Sequence, residues 1–147
     1  PSMLSCLFNL CSSCINYYFT SLSSLCYCVL YHCVAPTARH RLQLFHPAPW
    51  HKKLHPKLRI VQAVFAPKVS TKLAHLGELH MATVWEPYAQ PMLEVLQAQP
   101  NYTNLSPNND YIERPEYRPI TKFEVRGQKL GHGVWDLLFA AKKDVQA

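Results

Sequence analysis

The sequence is short of glycine. Only 4 of its 147 residues are glycine, whereas 12 are proline. Tight turns in all-β folds use glycine at positive φ, so this shortage argues against an all-β fold. The prolines argue against long uninterrupted helices in the second half. A chain of this length has room for one modest domain at most.

Charge is absent or one-sided over most of the chain. Residues 1–38 contain no Asp, Glu, Lys or Arg, and residues 39–72 carry eight basic residues and no acid. Residues 73–113 carry five acids and no Lys or Arg, and only residues 114–147 mix both signs. A self-contained globular domain usually intersperses its charges. The blocks therefore indicate a chain that lies along the surfaces of several partners.

The uncharged run from Met3 to Val34 predicts a membrane span, because it exceeds the ~20 residues that a helix needs to cross the hydrocarbon core. We place its centre at Ile15–Val34, before Pro36. A secretory signal or a mitochondrial presequence would need basic residues that this run lacks. A translated leader is the remaining alternative, since the run is rich in Ser, Cys, Leu, Phe and Tyr and the chain begins with Pro.

All six cysteines lie in this apolar run, between Cys6 and Cys33. A zinc site usually adds a second cysteine or histidine pair within a polar, loop-rich module. We therefore interpret these cysteines as packing residues and expect no bound metal.

The basic block after the run predicts an extended connector, because Pro47, Pro49 and Pro56 interrupt regular structure. We expect it to contact anionic lipid headgroups or neighbouring subunits. RNA contact is the alternative, although few aromatic residues accompany the charges. The residues assigned to this interface are Arg39, Arg41, Trp50, Lys52 and Lys53.

Two short amphipathic helices are predicted next. The first is capped by Ser70 or Thr71 and runs to about Trp85, and the second, Met92–Gln99, follows Pro91. Both are too short to be stable alone in water, so we expect them to form a hairpin against a partner. His75 and His80 would not share a face of the first helix and are not predicted to bind metal.

The C-terminal part is predicted to be extended and held by a partner. Residues 100–119 are rich in Pro and Asn, and the alternating pattern of residues 120–127 predicts a short strand. An apolar cluster that includes Trp135 and Phe139 should be buried against another protein. Glu124 and Asp136 are interpreted as surface charges, and His132 as an interface residue.

Residues 111–139 resemble a known family. The run Ile112–Tyr117, then Pro119, Phe123, Val125, Arg126, a glycine turn at residues 131–133 and Leu138–Phe139, is similar to the C-terminal signature of cytochrome c oxidase subunit VIa. The resemblance implies an accessory subunit with one transmembrane helix and without haem or copper. With the apolar cluster, the predicted docking residues are Arg114, Glu116, Tyr117, Pro119, Phe123, Arg126, Trp135 and Phe139.

The predicted fold is mainly α and non-globular. It comprises an N-terminal transmembrane helix, a basic extended connector, two short amphipathic helices and a Pro-rich extended C-terminal segment with a short strand and turn. The corresponding segments are residues 1–38, 39–68, 69–99 and 100–147.

The predicted function is that of a non-catalytic accessory subunit of a mitochondrial inner-membrane respiratory complex, with cytochrome c oxidase favoured. The alternatives are a subunit of ATP synthase or complex I, or a mitochondrial ribosomal protein. No catalytic motif is found, so an enzyme is not expected. We expect other membrane-complex subunits and phospholipid, with cardiolipin as a candidate, as partners. We expect no cofactor, nucleic acid or small-molecule substrate.

Overall fold

The computed structural model describes residues 29–49 and 59–143. Within these ranges the chain forms one mixed β-sheet with three α-helices and a single turn of π-helix. In chain order the elements are the π-helical turn Val29–Cys33, β1 Arg39–Phe45, α1 Phe65–Lys72, β2 Leu73–Thr83, α2 Glu86–Gln97, β3 Tyr102–Asn104, α3 Lys122–Lys129 and β4 Trp135–Ala141.

The strand order in the sheet is β1-β2-β4-β3. β1 pairs in parallel with β2, and α1 lies in the crossover that a parallel pair requires. β4 is the last strand of the described residues, yet it inserts antiparallel between β2 and β3. In this register His80 lies opposite Leu138, and Thr83 lies opposite Trp135. The C-terminal strand therefore completes the centre of the sheet.

β2 occupies the residues for which a helix was predicted, and that prediction is wrong. Leu73, Leu79 and Met81 are fully buried, and residues 79–83 are buried without alternation. A strand covered on both faces reads as a continuous apolar run, which resembles a helical pattern. At Gly77 a Cβ atom would lie 3.0 Å from the carbonyl oxygen of Arg39, so glycine is needed where the pairing with β1 shifts register.

α2 contains most of the second predicted helix but begins at Glu86. Pro87 lies in its first turn, where a missing N–H costs nothing, and Pro91 lies inside the helix. The face formed by Tyr88, Met92 and Leu96 is fully buried in the core. This burial, rather than intrinsic propensity, supplies the stability that a helix of this length lacks.

α3 occupies residues for which a strand was predicted, and this prediction is also wrong. Thr121 accepts a hydrogen bond from the backbone N–H of Glu124, and the Glu124 carboxylate is near the backbone N–H of Thr121. This reciprocal capping box starts a helix. The apolar cluster that follows forms β4, in which Leu137 and Phe139 are buried in the chain's own core.

The predicted mainly α, non-globular fold is therefore wrong, because the described residues form an α/β structure around their own apolar core. No helix within residues 29–49 and 59–143 is long and apolar enough to cross a bilayer. The predicted span and five of the six cysteines lie largely or wholly outside the described residues. The division of the chain into four segments stays a prediction.

Candidate functional site

A pocket of about 640 Å³ opens at the edge of the sheet where the parallel strands β1 and β2 end. The carboxyl ends of parallel strands are the usual ligand-binding edge of α/β sheets. Three segments line the pocket: the residues after β1, the end of β2 with the residues after it, and α3 with its following turn. They are His46, Pro47, Ala48, Pro49, Thr83, Val84, Trp85, Phe123, Arg126, Gly127, Leu130 and His132.

α3 forms one wall because it approaches the end of β2 closely. A Cβ atom on Gly127 would lie 3.4 Å from the Cβ of Val84, so the small residue permits this packing. Phe123 and Arg126 lie on the same side of the helix and face the pocket. The indole of Trp85 meets the imidazole of His132, in the turn after α3, edge to face, with 6.1 Å between ring centroids.

His46 lies at the carboxyl end of β1. Its φ is 49°, and its N–H donates to the carbonyl of Ala82 at 2.8 Å, which continues the pairing with β2. Both ring nitrogens are buried and have no hydrogen-bond partner among the described residues. Burial, together with the charge of Arg118, lowers the pKa of His46, although Glu124 and Asp136 oppose this. The imidazole is therefore neutral at pH 7.

Arg118 lies at the centre of a buried ion cluster behind the pocket. Its NH1 and NH2 groups donate to the two Glu124 oxygens at 2.7 and 3.0 Å, and NH2 also donates to Oδ2 of Asp136 at 2.9 Å. Burial opposes the charge, but the bonds to Glu124 and Asp136 raise the pKa of Arg118. The bond from Arg118 in turn lowers the pKa of Glu124. The cluster joins α3 to β4.

The cluster continues from Asp136 to the protein surface. Oδ1 of Asp136 lies 2.8 Å from Nε2 of the fully buried His80, and Nδ1 of His80 lies 3.2 Å from the hydroxyl of Tyr117. The guanidinium of Arg41 stacks over the Tyr117 ring at 4.1 Å and bonds to Glu78. Nε of Arg118 also lies 2.7 Å from Oδ1 of Asp136 as an ion pair, although it makes no hydrogen bond. A buried polar network with this many pairings rigidifies its surroundings.

The pocket lining is apolar and aromatic with a few cationic or neutral basic groups. Neither Asp nor Glu is among the residues that line it. Trp85 and Phe123 contribute aromatic rings, and Arg126 contributes a charge-assisted donor. In residues 29–49 and 59–143, no group of His, Cys, Asp or Glu is arranged to hold a metal ion. The pocket suits a planar, electron-rich ring that carries an anionic group nearby.

The structure brings two of the predicted docking residues, Phe123 and Arg126, together in the pocket wall. Phe139 is instead buried in the core, with only 1% of its surface exposed, and Trp135 is half-buried at the start of β4. Whether these residues dock a partner stays a prediction.

None of the other predicted contact residues that the structure describes is among the residues that line the pocket. Arg114 donates to the carbonyl of Arg118 at 2.6 Å, and Glu116 and Pro119 are exposed in the same loop as the half-exposed Tyr117. Arg39 and Arg41 are exposed on β1. The remaining three, Trp50, Lys52 and Lys53, lie outside the described residues.

Sequence reasoning missed the residues that organise the site. Glu124 and Asp136 are only 2% and 1% exposed, so their interpretation as surface charges is wrong. Arg118 and His46 were not singled out at all. The Thr121–Glu124 spacing of a capping box was the one available signal, and it would have predicted α3 in place of a strand.

The fold and the pocket define an α/β protein with a ligand site at the carboxyl ends of its parallel strands. A family model described as "Putative methyltransferase" matches residues 12–137. The chain belongs to this methyltransferase family.

The matching relatives are named more specifically. The chain is 60% identical over 111 residues to a tRNA (guanine-N(7)-)-methyltransferase of Pseudomonas putida, a match that covers 76% of this chain and 46% of the relative. The enzyme of the same name from Pseudoalteromonas atlantica is 58% identical over 111 residues, again 76% of this chain and 46% of the relative. That from Shewanella baltica is 56% identical over 111 residues, covering 76% and 47%. The chain thus spans about half the length of the curated relatives it matches.

These comparisons overturn the functional predictions. The resemblance to cytochrome c oxidase subunit VIa is wrong, because the methyltransferase model extends across most of the segment that carried it. The apolar cluster at the end of that segment forms β4 of the chain's own sheet, with Leu137 and Phe139 buried in the core. The predicted non-catalytic respiratory subunit and its alternatives are therefore wrong, since the family is one of enzymes.

The predictions of partners and location fail for the same reason. A single-pass protein of the mitochondrial inner membrane, bound to phospholipid and membrane subunits, conflicts with the methyltransferase family to which the chain belongs and with relatives named as tRNA methyltransferases. The expectation of no nucleic acid and no small-molecule substrate conflicts with relatives named as tRNA methyltransferases.

Proposed function

We propose that this protein acts in the methylation of tRNA at N7 of guanine and that the pocket is the site of the acceptor base. The observation that carries the proposal is the pocket itself, with its aromatic and arginine lining at the carboxyl edge of β1 and β2. Its support is the identity of 56–60% to enzymes named for this reaction.

The chemistry of the acceptor agrees with the lining. N7 of guanine is a hydrogen-bond acceptor with a free lone pair and no proton. Its methylation requires no general base, and the pocket has no carboxylate that could act as one. The site needs to hold the ring by its faces and leave N7 accessible, and the aromatic residues Trp85 and Phe123 in the lining support this role.

The neutral state of His46 favours the reaction. Methylation at N7 places a positive charge on the base, and a cationic imidazole in the wall would oppose that charge. Burial lowers the pKa of His46 and so favours its uncharged form. Arg126, which is exposed at the mouth of the pocket, is placed to meet a phosphate rather than the reacting atom.

S-adenosylmethionine would supply an electrophilic methyl group on sulfur. In α/β folds a glycine-rich turn and a carboxylate for the ribose hydroxyls commonly hold a nucleoside. The four glycines of this chain stand at positions 77, 127, 131 and 133, and no carboxylate lines the pocket. The described residues thus fit the acceptor base but not the donor nucleoside, and we derive no step through the donor.

The test is methylation of unmodified tRNA transcripts by the purified chain with S-adenosylmethionine labelled in the methyl group. Nuclease digestion and mass spectrometry should identify 7-methylguanosine. Transcripts made with 7-deazaguanosine provide a matched control, because they keep the ring but lack N7; they should bind equally well and gain no methyl group. Binding of tRNA without product would contradict catalysis, and the absence of both would contradict the proposal as a whole.

A further inference from the structure

His46 differs from the other residues that line the pocket, because both nitrogens of its imidazole are buried without a hydrogen-bond partner among the described residues. Within residues 29–49 and 59–143, no other side chain of the lining has a buried nitrogen or oxygen without a partner. Buried polar groups in folded proteins are nearly always paired, and leaving one unpaired costs free energy. A hydrogen bond that forms only with a bound ligand would account for this state.

The backbone fixes the place of this imidazole. His46 has a φ of 49°, in the left-handed region that a residue with a side chain enters at a cost. Its backbone N–H donates to the carbonyl oxygen of Ala82 at 2.8 Å, which ties it to the neighbouring strand β2. Backbone strain of this kind concentrates at binding and catalytic sites. His46 is thus held at the edge of the sheet where ligands of α/β folds bind.

The ion cluster behind the pocket favours one position of the imidazole proton. Among the charged groups that act on His46, Arg118 has the largest effect, and Glu124 and Asp136 have smaller, opposite effects. A guanidinium donates hydrogen bonds and accepts none, so it favours the lone-pair nitrogen of a neutral imidazole on its own side. Arg118 does not line the pocket, and the N–H group of the imidazole is therefore favoured on the pocket side.

We propose that His46 is a specificity-determining residue of the pocket, whose imidazole N–H donates a hydrogen bond to O6 of the guanine. The proposal rests on the proposed function, since guanine is the occupant. O6 and N7 are neighbouring acceptors on guanine, whereas adenine carries the N6 amino donor in place of O6. A donor at His46 accepts guanine and opposes adenine. Stacking on an aromatic ring cannot make this distinction, because every base has a π-face.

The experiment measures binding of tRNA transcripts to the full chain, with the guanosine that becomes methylated replaced by 2-aminopurine riboside. This analogue keeps the purine ring, N7 and the 2-amino group but lacks O6. We expect the wild-type chain to bind it roughly 3- to 10-fold more weakly than the guanosine transcript, as for one lost hydrogen bond. His46→Phe keeps a ring without a donor, and it should bind the two transcripts within about 2-fold of each other.

Two further variants show whether the donor itself is responsible. His46→Asn keeps an N–H donor in a residue type that tolerates positive φ, and it should retain more of the preference for guanosine than His46→Phe does. His75→Phe makes the same change at an exposed histidine near the start of β2, the end remote from the pocket, and it should leave the preference unchanged. Urea unfolding should show that all variants fold.

The outcomes separate this proposal from the proposed function. A preference for guanosine that is equal in the wild-type chain and in His46→Phe would overturn the role of His46. So would a His46→Phe variant that weakens binding of both transcripts by the same factor, since that result indicates a structural role. Formation of 7-methylguanosine by the wild-type chain would leave the proposed function standing in either case. A wild-type chain that binds no tRNA would defeat both proposals.

Discussion

α2 and α3 are both short amphipathic helices, but they bury opposite kinds of residue. α2 buries Tyr88, Met92 and Leu96 and exposes its polar side. α3 buries the charged Glu124 with Gly127 and exposes Phe123 and Val125. The first arrangement contributes to the core. The second costs stability unless the buried charge is paired, and it leaves apolar surface available for a ligand.

The largest expected loss of stability follows from removing Arg118, the partner of the carboxylate that α3 buries. Arg118→Ala would leave the carboxylates of Glu124 and Asp136 buried without their partner, and we expect it to lower the free energy of unfolding by about 3 to 5 kcal/mol. Urea unfolding followed by circular dichroism measures the change. Arg114→Ala is the control, because that side chain is exposed and makes one backbone contact. A loss below about 1 kcal/mol for Arg118→Ala would show that the cluster does not support the helix.

α2, which buries apolar residues, should lose stability when a cavity is made in its buried face. Leu96 is fully buried on α2, and Leu96→Ala should lower the free energy of unfolding by about 2 to 5 kcal/mol, through lost burial and an incompletely filled cavity. Gln90→Ala, on the exposed side of the same helix, should change it by less than about 0.5 kcal/mol. Equal effects of the two variants in urea unfolding would contradict the packing of α2.

The start of α3 should be sensitive to its cap. Thr121→Ala removes the hydroxyl that accepts from the N–H of Glu124, and we expect a loss of about 1 kcal/mol in thermal or urea unfolding. Thr121→Ser keeps the acceptor oxygen and should retain most of the stability. If serine were as damaging as alanine, the methyl group rather than the cap would matter.

The smallest effect on stability is expected at the exposed side of α3. Phe123→Ala should alter the free energy of unfolding by less than about 0.5 kcal/mol, because the ring is mostly in water. This contrasts with the loss expected at Leu96, although phenylalanine is the larger side chain. A loss above about 2 kcal/mol would mean that Phe123 packs in the core. The contrast between α2, which buries its apolar residues, and α3, which exposes them, would then not hold.

Some features of the fold could be predicted from the sequence. The proline before Met92 predicted a helix where α2 lies, although the helix begins earlier, at Glu86. The apolar cluster at Trp135 and Phe139 was predicted to be buried, which is true of Phe139, but the partner was expected to be another protein. Local sequence patterns indicate that a residue will be buried, but they do not indicate which surface will bury it.

The two wrong secondary structures have one physical cause. The second half of β2 is buried on both faces, so the alternation of burial that identifies a half-buried strand is missing. α3 shows a strand-like alternation because it buries a charge and exposes apolar residues. In each case the spacing of apolar residues depends on which sides of the element face the core, and only the tertiary structure decides that.

The sequence by itself determined the capping box of α3, the glycine at the register shift in β2 and the amount of apolar material available for a core. Only the tertiary structure decided that β4 enters the sheet beside β2, since that pairing joins residues more than fifty positions apart. It also decided that Arg118, Glu124 and Asp136 meet away from water. Local sequence patterns show neither the β2–β4 pairing nor the ion cluster, and both are needed to place the pocket and α3 beside it.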